Sequence, residues 1–257
     1  MNNSAIDAGH LRVVDAAGVR RIELTRPDKA NALNAAMMSG IARAAGEAAA
    51  AGADLIVISG HGTRGFCAGA DIEEFARGEE HLKAQEHALR DLIFTLADLP
   101  LPLFVLAYGR TLGAGGMLSS LADITIAADD LAFGFPEIRF NMYPVIVHAV
   151  LMHKVTGPVA SQLCGTGRVL NAAEAQAFGL VSEIFPAASF AADAIARIQF
   201  FAERRVALWI AKRAARITHP IEPLRARFDA LAPLMMENYS HPEARQMIQA
   251  YLASRKS

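Results

Sequence analysis

Arg64-Gly65-Phe66-Cys67-Ala68-Gly69-Ala70-Asp71-Ile72 reads RGFCAGADI. It follows the apolar run Asp54-Leu55-Ile56-Val57-Ile58-Ser59, closed by Gly60, and carries almost no reactive side chain. What it offers is backbone. Small residues let a ligand approach main-chain N–H groups closely. Two such donors fixed at helix N-termini make an oxyanion hole. A second stretch of this kind, Gly113-Ala114-Gly115-Gly116, follows another apolar run, Leu103-Phe104-Val105-Leu106-Ala107. One N–H from each segment can grip a single carbonyl oxygen. The residues alone leave a plainer reading open, that both glycine runs are only tight turns.

The flanking elements follow from periodicity and punctuation. Arg21-Ile22-Glu23-Leu24-Thr25 alternates before Pro27 and predicts a strand. Asn34 reads as a helix N-cap, with Leu33 and Met38 as its hydrophobic staple, and the Ala-rich helix is expected to stop near Gly52. Residues 54–59 and 103–107 predict short buried strands. Leu82, Leu89, Leu92, Ile93, Leu96 and Leu99 keep helical spacing, which predicts an amphipathic helix over 81–98. A helix opening in the second glycine run ends by Asp123, and 124–127 and 131–134 read as strands. Pro144 suits the first turn of a helix that Gly157 would end. Asn171 with Glu174 predicts a capping box, and 179–185 the last strand. Beyond about residue 188 every signal is helical, broken at Pro220, Pro223, Pro233 and Pro242. The pattern is an α/β core with a helical C-terminal extension.

Composition narrows the class. The chain has 257 residues, 53% hydrophobic and 20% charged, enough for one large domain or a domain with a smaller appendage. A net charge of -1 points to neither nucleic acid nor an anionic membrane as partner. The cluster Arg204, Arg205, Lys212, Arg213 and Arg216 reads as a solvated helix face. Cys67 and Cys164 lie far apart and suggest no disulfide framework, which fits a reducing compartment. The stretch MNNSAIDAGH lacks the basic and apolar regions of a secretory leader, and no apolar run reaches the ~18 residues of a membrane span. A soluble cytoplasmic protein is expected.

Other chemistries are weighed and set aside. Gly60-His61-Gly62-Thr63-Arg64-Gly65 matches the dinucleotide fingerprint GxGxxG, but Phe66–Asp71 looks extended where a helix should open. Glu79 and Glu80 sit in a helix-like stretch, not at a strand end. There is no GK[ST], GxSxG or HExxH motif, and His148 and His153 are spaced off one helix face, so no metal site is expected. Cys67 near His61 is better read as a buried, inert thiol than as a nucleophile.

Taken together, several motifs make the chain resemble the crotonase family, the enoyl-CoA hydratase/isomerase superfamily. They are Arg26-Pro27 through Asn31-Ala32-Leu33-Asn34, the FCAGADI segment, Gly109 through Gly116, Phe135-Pro136-Glu137-Ile138, and Gly165 through Leu180, covering about residues 10–190. The resemblance implies a crotonase-like spiral of strand-strand-helix repeats over 1–190 and a helical region over 191–257 used in trimer formation, giving a homotrimer or a dimer of trimers. It implies an acyl-CoA thioester as substrate, with coenzyme A part of that substrate and no separate cofactor. By motif position the oxyanion-hole N–H groups are those of Ala70 and Ala114, Ala68 meets the adenine, and Lys29 approaches the phosphates. Asp71 closes this substrate-binding segment and is read as the cap of the helix that follows.

The same resemblance frames the reaction. A carbonyl held by two N–H donors acidifies its α-carbon, and loss of one donor costs ~3 kcal/mol of transition-state stabilisation. A proton carrier is then needed. The family's hydratases use two glutamates, one on the glycine-rich helix and one in the Pro-Glu motif. Glu137 fills the second position, while the first falls on Met117, whose thioether carries no proton. A single glutamate at the Glu137 position is the arrangement of the Δ3,Δ2-enoyl-CoA isomerases. Dienoyl isomerases and dehalogenases of the family use an aspartate shortly after this motif, where Asn141-Met142-Tyr143-Pro144-Val145 has no acid. Met117 is expected to line the acyl pocket and, by drying it, to raise the Glu137 pKa. Double-bond isomerisation is therefore expected. An atypical hydratase or decarboxylase, and a non-catalytic acyl-CoA-binding protein, are the alternatives. Tyr143, His148 and a C-terminal helix are all candidates to close the pocket.

Overall fold

The computed structural model describes residues 6–7 and 10–254. Most of the stretch read for a leader, and the last three residues of the expected helical region, lie outside them. Strands β1 (Ile6–Asp7), β2 (Leu11–Ala16) and β3 (Val19–Leu24) form an antiparallel meander. A 3-10 turn at Pro27–Lys29 leads to α1 (Ala35–Gly46), then β4 (Leu55–Gly60), α2 (Ile72–Phe75), α3 (Glu79–Ala97) and β5 (Leu103–Ala107). Next come β6 (Arg110–Leu112), α4 (Ala114–Leu121), β7 (Ile124–Ala128) and β8 (Ala132–Gly134). After a 3-10 turn at Pro136–Phe140 the chain continues as α5 (Val145–Leu151), α6 (Gly157–Thr166), β9 (Val169–Leu170), α7 (Ala172–Ala177) and β10 (Glu183–Phe185). It ends in α8 (Phe190–Ala202), α9 (Arg205–Thr218), α10 (Glu222–Ser240) and α11 (Pro242–Ser254).

The long sheet has seven strands in the order β1-β2-β3-β4-β5-β7-β10, parallel from β3 onward. Parallel neighbours require crossovers. Here each crossover from β3 to β7 contains a short extended piece followed by a helix, and those pieces pair with one another in a second layer. Leu33 bridges Ala70, Gly65 bridges Gly109, Cys67 bridges Thr111, and β6, β8 and β9 form a three-stranded sheet. Strand, short strand and helix repeat along a spiral, the architecture that the resemblance implies.

Both faces of the long sheet are covered, which is why its central strands read as unbroken apolar runs. Ile56 and Ile58 of β4 face the main core, whereas Leu55 and Val57 join Phe104, Leu106, Phe190 and Ile198 on the other side. The C-terminal helices pack onto the same body. Phe228 of α10 meets Phe94 of α3 edge-on with ring centroids 5.2 Å apart, and the buried Lys212 of α9 pairs with Asp123 at 2.8 Å.

The local caps hold as read. Asn34 accepts the Met37 N–H at 2.8 Å, and Asn171 and Glu174 form a reciprocal capping box. Four boundaries are corrected. α1 ends at Gly46, and turns carry the chain on to Gly52, whose positive φ of 81° makes the last reversal before β4. Gly157 does not end the helix after Pro144. That helix stops at Leu151, and Gly157 with Pro158 opens α6, where a missing N–H costs nothing. The last strand is only Glu183–Phe185, because Gly179 (φ 75°) closes α7. Pro233 does not break α10. It lies on the exposed side, as does Asp229, whose carbonyl loses its helix donor, while Leu224, Phe228 and Met235 anchor the other side in the core. Among the described residues no helix is long and apolar enough to cross a membrane.

Candidate active site

Two glycine turns meet at the junction of the two layers. Gly69 has φ 124° and Gly113 has φ 50°, both in the region that favours glycine. A Cβ on Gly113 would lie 3.4 Å from the Gly69 Cα, so the two backbones are in contact. The residues that follow them, Ala70 and Ala114, line one cavity. Neighbouring N–H groups are consumed by the fold: Ala68 donates to the Ala30 carbonyl at 2.9 Å, Asp71 to Leu33 at 2.8 Å, and Gly113 to Gly134 at 2.8 Å. The N–H groups of Ala70 and Ala114 take no partner among the described residues. Ala114 is the first residue of α4, so its free N–H also carries the positive end of the helix dipole.

Glu137 reaches this point from the 3-10 turn at Pro136–Phe140. Its Oε1 would lie 2.8 Å from a Cβ on Gly113, so it rests against the same turn. The residue as a whole is half-buried, but Oε2 is sealed from solvent and has no hydrogen-bond partner among the described residues. Burial pushes the carboxyl up to about 7, opposed only by a hydrogen bond to its own backbone. A group with that pKa can both take and return a proton near neutral pH. Burial, then the charge of Glu137, pushes the Cys164 thiol up to about 12 and raises Tyr239.

The cavity is narrow, ≈ 50 Å³ to the centre of a water-sized sphere. Met38 of α1, Leu82 and Leu89 of α3, and Ile146 and Val147 of α5 supply apolar wall. Met117 is 1% exposed and forms part of that wall. The closing element is α10, through Met235 and Tyr239. Tyr143 and His148 hydrogen-bond each other at 2.7 Å and do not line the cavity. Gln85 and Glu86 of α3 also line it, and motif reading missed both. The signal was present for Gln85, which sits between Leu82 and Leu89 on the stripe where the period demands an apolar residue.

The remaining expected site residues lie beside the cavity, outside its wall. Ala68 is half-buried, and its carbonyl accepts no hydrogen bond among the described residues. Lys29 pairs with Glu73. Asp71 caps α2 through the Glu73 N–H at 3.0 Å and holds Arg26 Nη1 at 2.7 Å, so both carboxylate oxygens serve the frame. Cys67 is fully buried and its thiol is pushed up to about 12, an inert group. Gly65 packs on the Arg110 backbone with no helix opening there, unlike a dinucleotide turn. A larger cleft of ≈ 430 Å³ lies elsewhere, between Asp123, Lys154 and Lys212. Its amines are already engaged, Lys212 by Asp123 and Lys154 by the Ala122 carbonyl at 2.6 Å.

The profile of the enoyl-CoA hydratase/isomerase family matches residues 15–257. A probable enoyl-CoA hydratase of Mycobacterium bovis is 36% identical over 173 residues, a match spanning 65% of this chain and 65% of that protein's length. Human enoyl-CoA delta isomerase 2 is 30% identical over 199 residues, which is 75% of this chain and 50% of the human protein. Among solved structures, an enoyl-CoA hydratase of Mycobacterium avium subsp. paratuberculosis superposes with a TM-score of 0.84 at 25% identity, covering 96% of this chain and 97% of that one.

The Glu137 carboxyl should shape the pH dependence of stability. An unfolded glutamate titrates near 4.5 and the folded one near 7, so the native state holds the extra proton in that window. Stability contributed by the neutral form is therefore lost as pH rises from 4.5 through 7. Glu137→Gln should be more favourable to folding at pH 8 than at pH 4.5, by about 3 kcal/mol. Denaturant titrations of both proteins at the two pH values measure it. A mutant-minus-wild-type difference that does not vary with pH would contradict the buried carboxyl.

Proposed function

The chain belongs to the enoyl-CoA hydratase/isomerase family, and from that membership we propose that it converts a 3-enoyl-CoA to the conjugated 2-enoyl-CoA with Glu137 as its one acid and base. One observation carries this reading: a sealed carboxylate, raised to about 7, rests against the Gly113 turn, which touches the Gly69 turn, and the residue after each glycine has an unpartnered N–H. Met117, where the resemblance implies the hydratases' other glutamate, lines the same cavity without a carboxylate. The thioester oxygen accepts hydrogen bonds from Ala70 and Ala114. Because both donors are backbone groups, alanine at these positions keeps the function. Ionised Glu137 takes a proton from C2, and the electron pair spreads over the dienolate onto the thioester oxygen. Glu137 then returns a proton at C4, leaving the double bond between C2 and C3. Donors fixed in a dry site stabilise the developing charge without reorganising. Coenzyme A is part of the substrate in this reading and no separate cofactor takes part. The free Ala68 carbonyl suits the adenine amine, and Lys29, next to the Ala30 whose carbonyl accepts the Ala68 N–H, suits the phosphates.

A second reading is hydration of a 2-enoyl-CoA. It is favoured by Glu86, which brings another carboxylate to the cavity wall from an unexpected element. The two readings separate on substrate. With 3-enoyl-CoA in deuterated water, the isomerase forms 2-enoyl-CoA, read by absorbance and by mass. Glu137→Gln should lower kcat by about 10²–10⁴-fold while CoA-ester binding persists. Wild-type protein that hydrates 2-enoyl-CoA but leaves 3-enoyl-CoA unchanged would replace isomerisation with hydration.

The assembly proposed is a homotrimer or a dimer of trimers, built through the C-terminal helices. Supporting it, α9 turns Lys212 and Leu208 inward while Val206, Ile210 and Ile217 stand 66%, 59% and 80% exposed on its other face. Light scattering should give three or six times the chain mass for wild type, and Ile210→Glu with Ile217→Glu should yield monomer. A monomeric wild type would overturn the assembly.

A further inference from the structure

We propose that the acyl group accepted by this site carries a hydroxyl on its chain, and that Gln85 recognises it. The inference rests on the acyl-CoA reading above and goes beyond it, to the class of acyl group. Gln85 lines the cavity and is 4% exposed. Its Nε2 donates to Glu74 Oε2 at 2.7 Å, and the same Glu74 oxygen accepts the Ala35 N–H at 3.1 Å at the start of α1. Glu74 Oε2 already accepts the Ala35 N–H and serves here as acceptor again, so the amide nitrogen faces it and the amide oxygen is turned away. That leaves Gln85 Oε1, which is sealed from solvent and has no partner among the described residues.

A buried acceptor without a donor is costly, and a ligand that supplies the donor recovers the loss. An all-hydrocarbon acyl chain placed against α3 would leave Oε1 unpaired. A keto group on the chain has no hydrogen to give. A terminal carboxylate would crowd a third acid onto the wall that Glu86 and Glu137 already line. A neutral hydroxyl alone among these common acyl substituents donates to Gln85 without adding charge. Glu86, whose side chain is 15% exposed, stands next to Gln85 as a further acceptor for the same class of group.

The test compares saturated esters, which cannot react. Binding of hexanoyl-CoA and of its 4-, 5- and 6-hydroxy forms to the wild-type full chain is measured by calorimetry. Hydroxylation at C3 is left out, because addition of water to a 2-enoyl-CoA would itself place a hydroxyl there. At least one hydroxy ester should bind about tenfold more tightly than hexanoyl-CoA, the scale of one buried hydrogen bond. In Gln85→Leu that preference should vanish. The wild-type comparison stands even where this variant, which also unpairs Glu74, proves unstable. Equal affinity for all four esters in the wild type would overturn the hydroxyl inference and leave the acyl-CoA reading intact, with a bound water then satisfying Oε1. Failure of every ester to bind folded protein would overturn both.

Discussion

The contact between the Gly69 and Gly113 backbones is the constraint on which the site depends. At Gly69 the demand is conformational: φ is 124°, while the nearest atom to an added Cβ is a carbonyl oxygen at 3.5 Å. At Gly113 the demand is double, because an added Cβ would also press on Glu137 Oε1. The touching turns come from different crossovers of the spiral, and each is followed by an alanine whose N–H is left free. The helix beyond Gly113 is held just as closely. A Cβ on Gly115 would collide with the Cys67 carbonyl and stand 2.8 Å from the Cys67 Cβ, so α4 lies directly on the opening segment. Small residues are thus placed where two chain segments must approach within backbone distance, and the two free donors are a consequence of that packing.

The second constraint is desolvation. A methionine beside Glu137 and the apolar walls of α1, α3, α5 and α10 exclude the water that would otherwise hold the carboxyl near 4.5. The same burial that destabilises the folded protein above neutral pH supplies a base of useful strength. Met117 adds apolar wall to this cavity and brings no carboxylate to it. The polar atoms that remain on the wall then matter more. Gln85 Oε1 and Glu137 Oε2 are both buried acceptors awaiting a donor, one fixed by Glu74 and the other resting on Gly113.

Much of the frame was legible because it is local. Asn34 and Asn171 announce their helices by cap chemistry, and the runs at 55–60 and 103–107 announce strands buried on both faces. Gly157 and Pro233 were misread for one physical reason: breaker residues act through context. Gly157 is followed by a proline that suits a first turn, and Pro233 is tolerated because its helix is anchored elsewhere. The grouping of Ala70, Ala114 and Glu137 is legible only through motifs that resemble a family, since nothing in local spacing brings residues 44 positions apart to one cavity. Met235 and Tyr239 were invisible, because their place on the pocket is set by where α10 docks. Gln85 was visible as a polar residue on an apolar stripe, but its significance needed the orphaned oxygen.

The proposed reaction requires that the backbone N–H groups of Ala70 and Ala114 hold the thioester carbonyl. The infrared stretch of a saturated acyl-CoA, labelled with carbon-13 at its thioester carbonyl and bound to the protein, tests it most directly. A band at lower frequency than for the same ester in water is expected, because two fixed donors polarise the carbonyl more than bulk solvent does. A band at or above the aqueous frequency would mean that Ala70 and Ala114 do not meet the carbonyl.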